Sequence, residues 1–189
     1  MVEAIQELNM LKMGQRAKDA AFQLAQFTTE QKNQALLNIA DALEANTESI
    51  LEANKIDIQQ AQDKGTDSIW VRDRIDLEPR MAGIINDVRH VATLPDPVGN
   101  TFADNSLEVG IDIHKVRVPL GVLGVIYESR PNVTADAGSL CLKSGNACIL
   151  RGGSESYHSS RAIWSCLQEG LIAAGLPADA IQMIPTTDR

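Results

Sequence analysis

The sequence predicts an α/β protein whose helical front part leads into a parallel sheet. Three observations carry the prediction. Apolar residues recur at helical spacing through most of the first 94 positions of this 189-residue chain. The period changes to two near residue 107, where Leu107, Val109, Ile111 and Ile113 alternate with Glu108, Gly110, Asp112 and His114. From residue 121, three short apolar runs, "GVLGVIYE", "ACILR" and "AIQMI", are separated by two helix-length segments. Strand-helix-strand units of that length wind right-handed into parallel sheets.

Each element has a local reason. In "TTEQKNQALLNIADALEAN", Thr28 and Gln31 form a capping-box pattern, and Leu36, Ile39, Ala40 and Leu43 make one apolar stripe. Thr47 is placed to cap the next helix, which Gly65 closes. A third helix is expected over residues 78–94, before "LPDPVGNTF" breaks the pattern. Residues 107–114 read as a strand with one dry face. After His114 the phase slips, and Val116 and Val118 carry the apolar positions. A bulge explains the slip, and so does a strand that leaves its sheet to pair with a second chain. A local hairpin arm within one subunit fits equally well. "GVLGVIYE" is continuous enough for a strand covered on both faces. "VTADAGSLCLKSG" ends at Gly145, and "HSSRAIWSCLQEGLIAAG" places Ile163, Leu167, Leu171 and Ala174 on one stripe before Gly175. Three parallel strands are too few for a self-sufficient doubly wound sheet. The chain is therefore expected to be part of a larger protein.

The bulk numbers exclude some functions. With 25 acids against 17 bases the formal net charge is −8. No broad basic face for nucleic acid or an anionic membrane is expected, although a local pocket for a small anion is compatible. The N-terminus has no apolar core of a signal peptide and no run reaches membrane-span length, so a cytoplasmic protein is expected. Cys141, Cys148 and Cys166 lack metal-type spacing and read as buried, reduced thiols. His90, His114 and His158 are far apart, so no metal site is expected. Tyr127 and Trp164 read as core aromatics, and Lys143 as a solvated lysine.

Ligands of open parallel sheets sit beyond the carboxyl ends of the strands. Two loops occupy those ends. In "ESRPNVT", Pro131 fixes φ and Asn132 lies at the mouth of a helix. Asn132 can cap that helix or donate to a ligand oxygen. In "RGGSES", Arg151 and Ser154 can bind phosphate oxygens, while Gly152 and Gly153 let the backbone approach a ligand. A plain glycine turn with a surface arginine is the competing reading, and no G-x-G-x-x-G is present.

The stretch "KVRVPLGVLGVIYESRPNVTADAGSLCLKSGNACILRGGSES", with "LLNIADALEAN" and "LPDPVG", closely resembles the gamma-glutamyl phosphate reductases, also called glutamate-5-semialdehyde dehydrogenases. More broadly it resembles the aldehyde dehydrogenase superfamily. That resemblance implies an aldehyde dehydrogenase-like fold with part of a Rossmann-type cofactor-binding sheet. It implies NADPH-dependent reduction of L-glutamyl 5-phosphate to glutamate 5-semialdehyde and phosphate, in proline biosynthesis. It places an oxyanion donor on Asn132 and cofactor contacts on Arg151, Gly152, Gly153, and Ser154 or Glu155. Ser129 and Arg130 would help hold the acyl phosphate. If Ser154 takes the place of an acid that meets the adenosine ribose, Arg151 beside it favours NADPH over NADH. None of the three cysteines matches the family's nucleophile, which lies in a later domain, so the chain is expected to be an inactive N-terminal part. Residues 1–105 would be the helical part of the cofactor-binding domain, 106–119 an arm for homo-oligomerisation, and 120–189 the parallel part. The alternatives are a non-catalytic nucleotide-binding or oligomerisation module and another acyl reductase of the superfamily.

Overall fold

In the computed structural model the described residues are 10–107 and 110–188, so Glu108 and Val109 of the expected strand, the first nine residues and Arg189 lie outside them. Five helices come first: α1 (Met10–Leu24), α2 (Thr29–Ala45), α3 (Thr47–Asp63), α4 (Ser68–Arg74) and α5 (Met81–Thr93). The strands β1 (Thr101–Ser106) and β2 (Asp112–Val116) follow. The chain then runs β3 (Val122–Ile126), α6 (Asn132–Lys143), β4 (Ala147–Arg151), α7 (Tyr157–Ala173) and β5 (Ile181–Met183).

The capping box of α2 forms as its sequence requires. The Gln31 amide donates to Thr28 Oγ1 at 3.3 Å and the Thr28 amide to Gln31 Oε1 at 2.9 Å. Thr47 does not cap α3. The α2–α3 junction is one residue long, so the Thr47 hydroxyl turns back and donates to the Leu43 carbonyl at 3.0 Å. The sequence reading missed α4, whose cap is Asp67 accepting from the Ile69 amide at 2.6 Å. The apolar stripe of α2 is fully buried against α5 and α7. At the α2–α7 crossing, a Cβ on Gly170 would lie 2.5 Å from the Ile39 backbone nitrogen, so the two helices touch through backbone.

Strands β3, β4 and β5 form a parallel sheet in that order, with Ile126 opposite Arg151 and Leu150 opposite Met183. Helix α1 packs against all three strands. The central strand is dry, with Ala147, Cys148 and Leu150 at 0% exposure. The expectation that "GVLGVIYE" is covered on both faces is not met: Ile126 is 85% exposed. β3 is the edge strand here, and one row of its side chains has nothing packed over it.

The alternating segment also differs from its reading. β1 and β2 are an antiparallel hairpin, and Leu107 and Ile111 meet across its turn instead of lying along one strand. The Leu107 amide donates to the Ile111 carbonyl at 2.8 Å, and Gly110 has the φ of 82° that glycine adopts at no steric cost. The register slips in β1, between Thr101 and Ala103, and the arm starts at Thr101, five residues before the expected boundary. Its expected dry face is wet: every residue of β2 is exposed, because no layer of this chain lies over it.

Lys143 is not solvated. It is 3% exposed, and its ammonium donates to Asn33 Oδ1 at 2.6 Å and the Ala92 carbonyl at 3.0 Å. It lies near a buried Lys32–Asp96 pair whose N···O distance is 2.5 Å. Burial pushes the Lys143 ammonium pKa down, against the pull of Asp96. Asp96 also accepts from Thr29 Oγ1 at 2.8 Å and the Val98 amide at 2.9 Å, so the loop before the arm is tied to α2.

Candidate functional site at the carboxyl edge of the sheet

The two loops singled out in the sequence meet. The Tyr127 amide donates to the Arg151 carbonyl at 3.0 Å, which extends the β3–β4 ladder by one step. The Tyr127 hydroxyl pairs with Thr134 Oγ1 at 2.7 Å and fixes the first loop to the start of α6. A Cβ on Gly152 would lie 3.1 Å from the Tyr127 ring, and one on Gly153 would lie 2.0 Å from Ser129 Oγ and 2.8 Å from its amide nitrogen. The glycine pair thus closes onto the first loop, not onto an open ligand surface. Gly153 has φ −66°, so close approach explains it and backbone freedom does not.

Ser129 is buried and its hydroxyl donates to the Glu155 carboxylate. The Ser154 hydroxyl donates to the other Glu155 oxygen at 3.0 Å. The Ser129 hydrogen bond, outweighing burial, holds the Glu155 carboxyl below its ordinary value. Glu155 faces a cleft of about 660 Å³ whose walls are Tyr127, Glu128, Ser129 and Gly153 on one side and Thr66, Trp70 and Arg74 on the other. Arg74 pairs with the Glu128 carboxylate, and Arg130 Nε lies 4.0 Å from the same oxygen. Ser154 faces a second cleft, of about 420 Å³, with Gln60, Lys64, Tyr157 and His158. The 153–155 turn separates the two clefts.

Asn132 makes no cap. Pro131 holds the cap position of α6, and no side chain bonds there. The Asn132 amide nitrogen donates to Asp136 Oδ2 at 3.1 Å, and its Oδ1 is buried without a partner. Burial raises the Asp136 carboxyl, and the Asn132 bond partly offsets that. One N–H of Asn132 is therefore held one turn down the helix. Asn132 lines neither of the two clefts. Arg151 points away from the first loop. Its guanidinium donates to the carbonyls of Thr186 at 2.8 Å and of Thr187 and Asp188 at 3.0 Å. So Ser129, Gly152, Gly153, Ser154 and Glu155 are brought together, while Asn132 and Arg151 hold opposite flanks of the same sheet edge.

The sequence reading missed Trp70, Arg74 and Lys64 as site neighbours. No local signal could have found them, since their placement comes from α3 and α4 packing beside loops more than fifty residues away. The three cysteines are buried and unpaired in disulfides. Burial pushes the Cys166 thiol up to about 11, and the hydrogen bond with Cys141, with burial adding to it, raises Cys148 well above the ordinary range, so neither is a ready nucleophile at neutral pH. Among the described residues no group of side chains could hold a metal ion. No helix among them is long and apolar enough to cross a membrane.

The sequence matches the aldehyde dehydrogenase family over residues 2–189. The chain belongs to that family. A gamma-glutamyl phosphate reductase of Brucella anthropi is 55% identical over 181 residues, which cover 95% of this chain and 42% of that protein. The crystal structure of the gamma-glutamyl phosphate reductase of Thermotoga maritima superposes with a TM-score of 0.90 at 38% identity, covering 95% of this chain and 44% of that one. The Saccharomyces cerevisiae gamma-glutamyl phosphate reductase gives 0.87 at 34% identity, covering 94% and 46%. The chain thus spans less than half the length of these relatives. The aldehyde dehydrogenase family implies a nicotinamide cofactor, and the α/β fold, with its helices and parallel sheet, is that of the family.

Proposed function

We propose that this chain is the N-terminal, cofactor-side part of an NADPH-dependent gamma-glutamyl phosphate reductase that acts in proline biosynthesis in the cytoplasm. The full reaction converts L-glutamyl 5-phosphate to L-glutamate 5-semialdehyde and phosphate. The observation that carries the reading is the 55% identity over 181 residues to a reductase of that name. The residues at the sheet edge fit a nicotinamide dinucleotide. Ser154 offers a hydroxyl to the adenosine ribose, Lys64 lines the same cleft with positive charge for a 2′-phosphate, and Arg151 is bonded to the carbonyls of its far wall, while Glu155 turns to the other cleft and is held by Ser129. The bound cofactor supplies the hydride.

In this reading Asn132 donates its second N–H to the oxygen that gains negative charge when a thiolate attacks the acyl carbon. Ser129 and Arg130 help hold the substrate phosphate, Arg130 from its exposed position and Ser129 once its hydroxyl turns from Glu155 to the phosphate. The thiolate comes from outside these 189 residues, because Cys141, Cys148 and Cys166 are buried. Titration of NADPH and NADH onto the chain tests the cofactor assignment: tighter NADPH binding without reductase turnover is expected. Equal affinity for the two cofactors would overturn the preference, and turnover by the isolated chain would overturn the assignment of the nucleophile.

A second observation favours an oligomer. Phe102, Ile113 and Val116 of the hairpin and Val118 after it are exposed apolar side chains, Val118 at 75%. We propose that the arm from Thr101 to residue 119 pairs with a second copy. Native mass spectrometry should give a multiple of 20.5 kDa, and replacing Ile113 by Asp should return the monomer. A monomeric wild-type chain at micromolar concentration would remove this assignment.

A further inference from the structure

Helix α3 turns two polar side chains inward, one turn apart. Asn54 is 2% exposed and Asp57 1%. Asp57 Oδ1 accepts from the His158 amide at 3.1 Å, and its Oδ2 accepts from the Ser159 amide at 2.7 Å and the Ser159 hydroxyl at 2.5 Å. Asn54 donates to the same hydroxyl at 2.9 Å and to the Ile75 carbonyl at 2.8 Å, and accepts from the Leu77 amide at 3.0 Å. These partners belong to the first turn of α7 and to the loop behind α4.

The first turn of α7 needs such partners. Its own cap residue, Ser156, makes no side-chain cap bond. The leading amides would otherwise be orphaned in a buried place, at the positive end of a 17-residue helix. A carboxylate from α3 does the work that a local Ser or Asp does elsewhere. The Gly152–Ser156 turn runs directly into that capped end and packs against α3, and Lys64 at the end of α3 also attracts Glu155.

We infer that Asp57 is a positioning residue for the nucleotide site: by capping α7 from a neighbouring helix it sets the Gly152–Ser156 turn, and with it the directions of Ser154 and Glu155. The inference rests on the reading that this turn contacts the cofactor. It adds a residue that touches no ligand and lies about a hundred positions upstream of the turn it governs.

The test compares the full chain with Asp57→Ala, Asp57→Asn and, as a destabilised control far from the turn, Val88→Ala. NADPH dissociation constants come from fluorescence titration, and amide hydrogen exchange is followed at residues 153–159. Asp57→Ala is expected to weaken NADPH binding at least tenfold and to lose protection at His158 and Ser159. Asp57→Asn keeps one acceptor oxygen and should weaken binding three- to fivefold. Val88→Ala should lower the melting midpoint yet leave the dissociation constant unchanged. Wild-type affinity in a folded Asp57 variant would overturn the inference. If Asp57→Ala does not fold, Asp57→Asn decides by the same criterion. If the wild-type chain binds no NADPH, the nucleotide reading fails by itself, and exchange still decides the capping role: loss confined to 153–159 supports it, and unchanged or uniform exchange overturns it.

Discussion

Gly170→Ala should lower the melting midpoint of the chain by about 4–8 °C, the shift that about 2 kcal/mol gives in a chain of this size. Two effects oppose each other. Alanine is the better helix former by about 1 kcal/mol. Against that, its Cβ would sit 2.5 Å from the Ile39 nitrogen and 2.6 Å from the Ile39 Cα. Those are backbone atoms of α2 and cannot rotate away, so the helices must part. Parting them opens a core in which Ile39, Leu36 and Leu167 are fully buried, and overpacking against backbone falls at the top of the usual range, about 3 kcal/mol, which leaves about 2 kcal/mol net. Gly14 provides the contrast. It lies inside α1, and a methyl group added there would meet nothing within 4 Å, so Gly14→Ala should raise the midpoint. Circular dichroism melts of the two variants read both signs. A stabilising Gly170→Ala would mean that α2 and α7 do not touch through backbone.

Asn132→Ala in the full-length reductase should lower kcat by roughly 100- to 1000-fold, the usual cost of removing one oxyanion donor. A residue that merely capped α6 would behave differently. It would cost about 1 kcal/mol of stability and leave the rate nearly intact. The geometry removes the capping role, because the cap position is Pro131 and Asn132 bonds Asp136 instead, and the rate measurement decides the catalytic one. The expected signature is a large fall in kcat with a smaller change in KM for L-glutamyl 5-phosphate. Removing the amide also deprives a half-buried carboxylate of its donor, so Asp136 should move further upward. The double variant with Asp136→Asn separates that side effect from the loss of the donor. A kcat within tenfold of wild type would sink the catalytic assignment.

Local signals in the sequence were reliable where the physics is local. Thr28 and Gln31 lie three residues apart, and both of their bonds form. Gly65, Gly145 and Gly175 end helices with φ between 72° and 76°, a conformation that costs other residues a steric clash. The runs that became β3, β4 and β5 needed only hydrophobicity and length. What failed depended on partners far along the chain. Lys143 read as solvated because nothing near it in sequence is acidic, yet its hydrogen-bond acceptors are Asn33 and Ala92. Glu128 likewise takes its partner from far away, Arg74 on α4. The hairpin was misplaced because β1 is the polar stretch "TFADNS", which has no alternation to detect, whereas the apolar turn residues Leu107 and Ile111 imitate a strand. In the candidate site, Ser129 with the 152–155 loop was legible as a pair of strand-end loops. The direction of Arg151 was not, because it is fixed by carbonyls some 35 residues later.

One helix joins two regions that look unrelated. α6 begins at Asn132 and ends at Lys143, and Lys143 sits beside the Lys32–Asp96 pair that anchors the root of the hairpin. Twelve residues of α-helix make a strut about 18 Å long, too short to bend appreciably. A displacement of the hairpin root along that axis would therefore be delivered to the amide at the far end with little loss. If the arm pairs two copies and Asn132 faces the reacting carbonyl, as proposed, both would share a single lever.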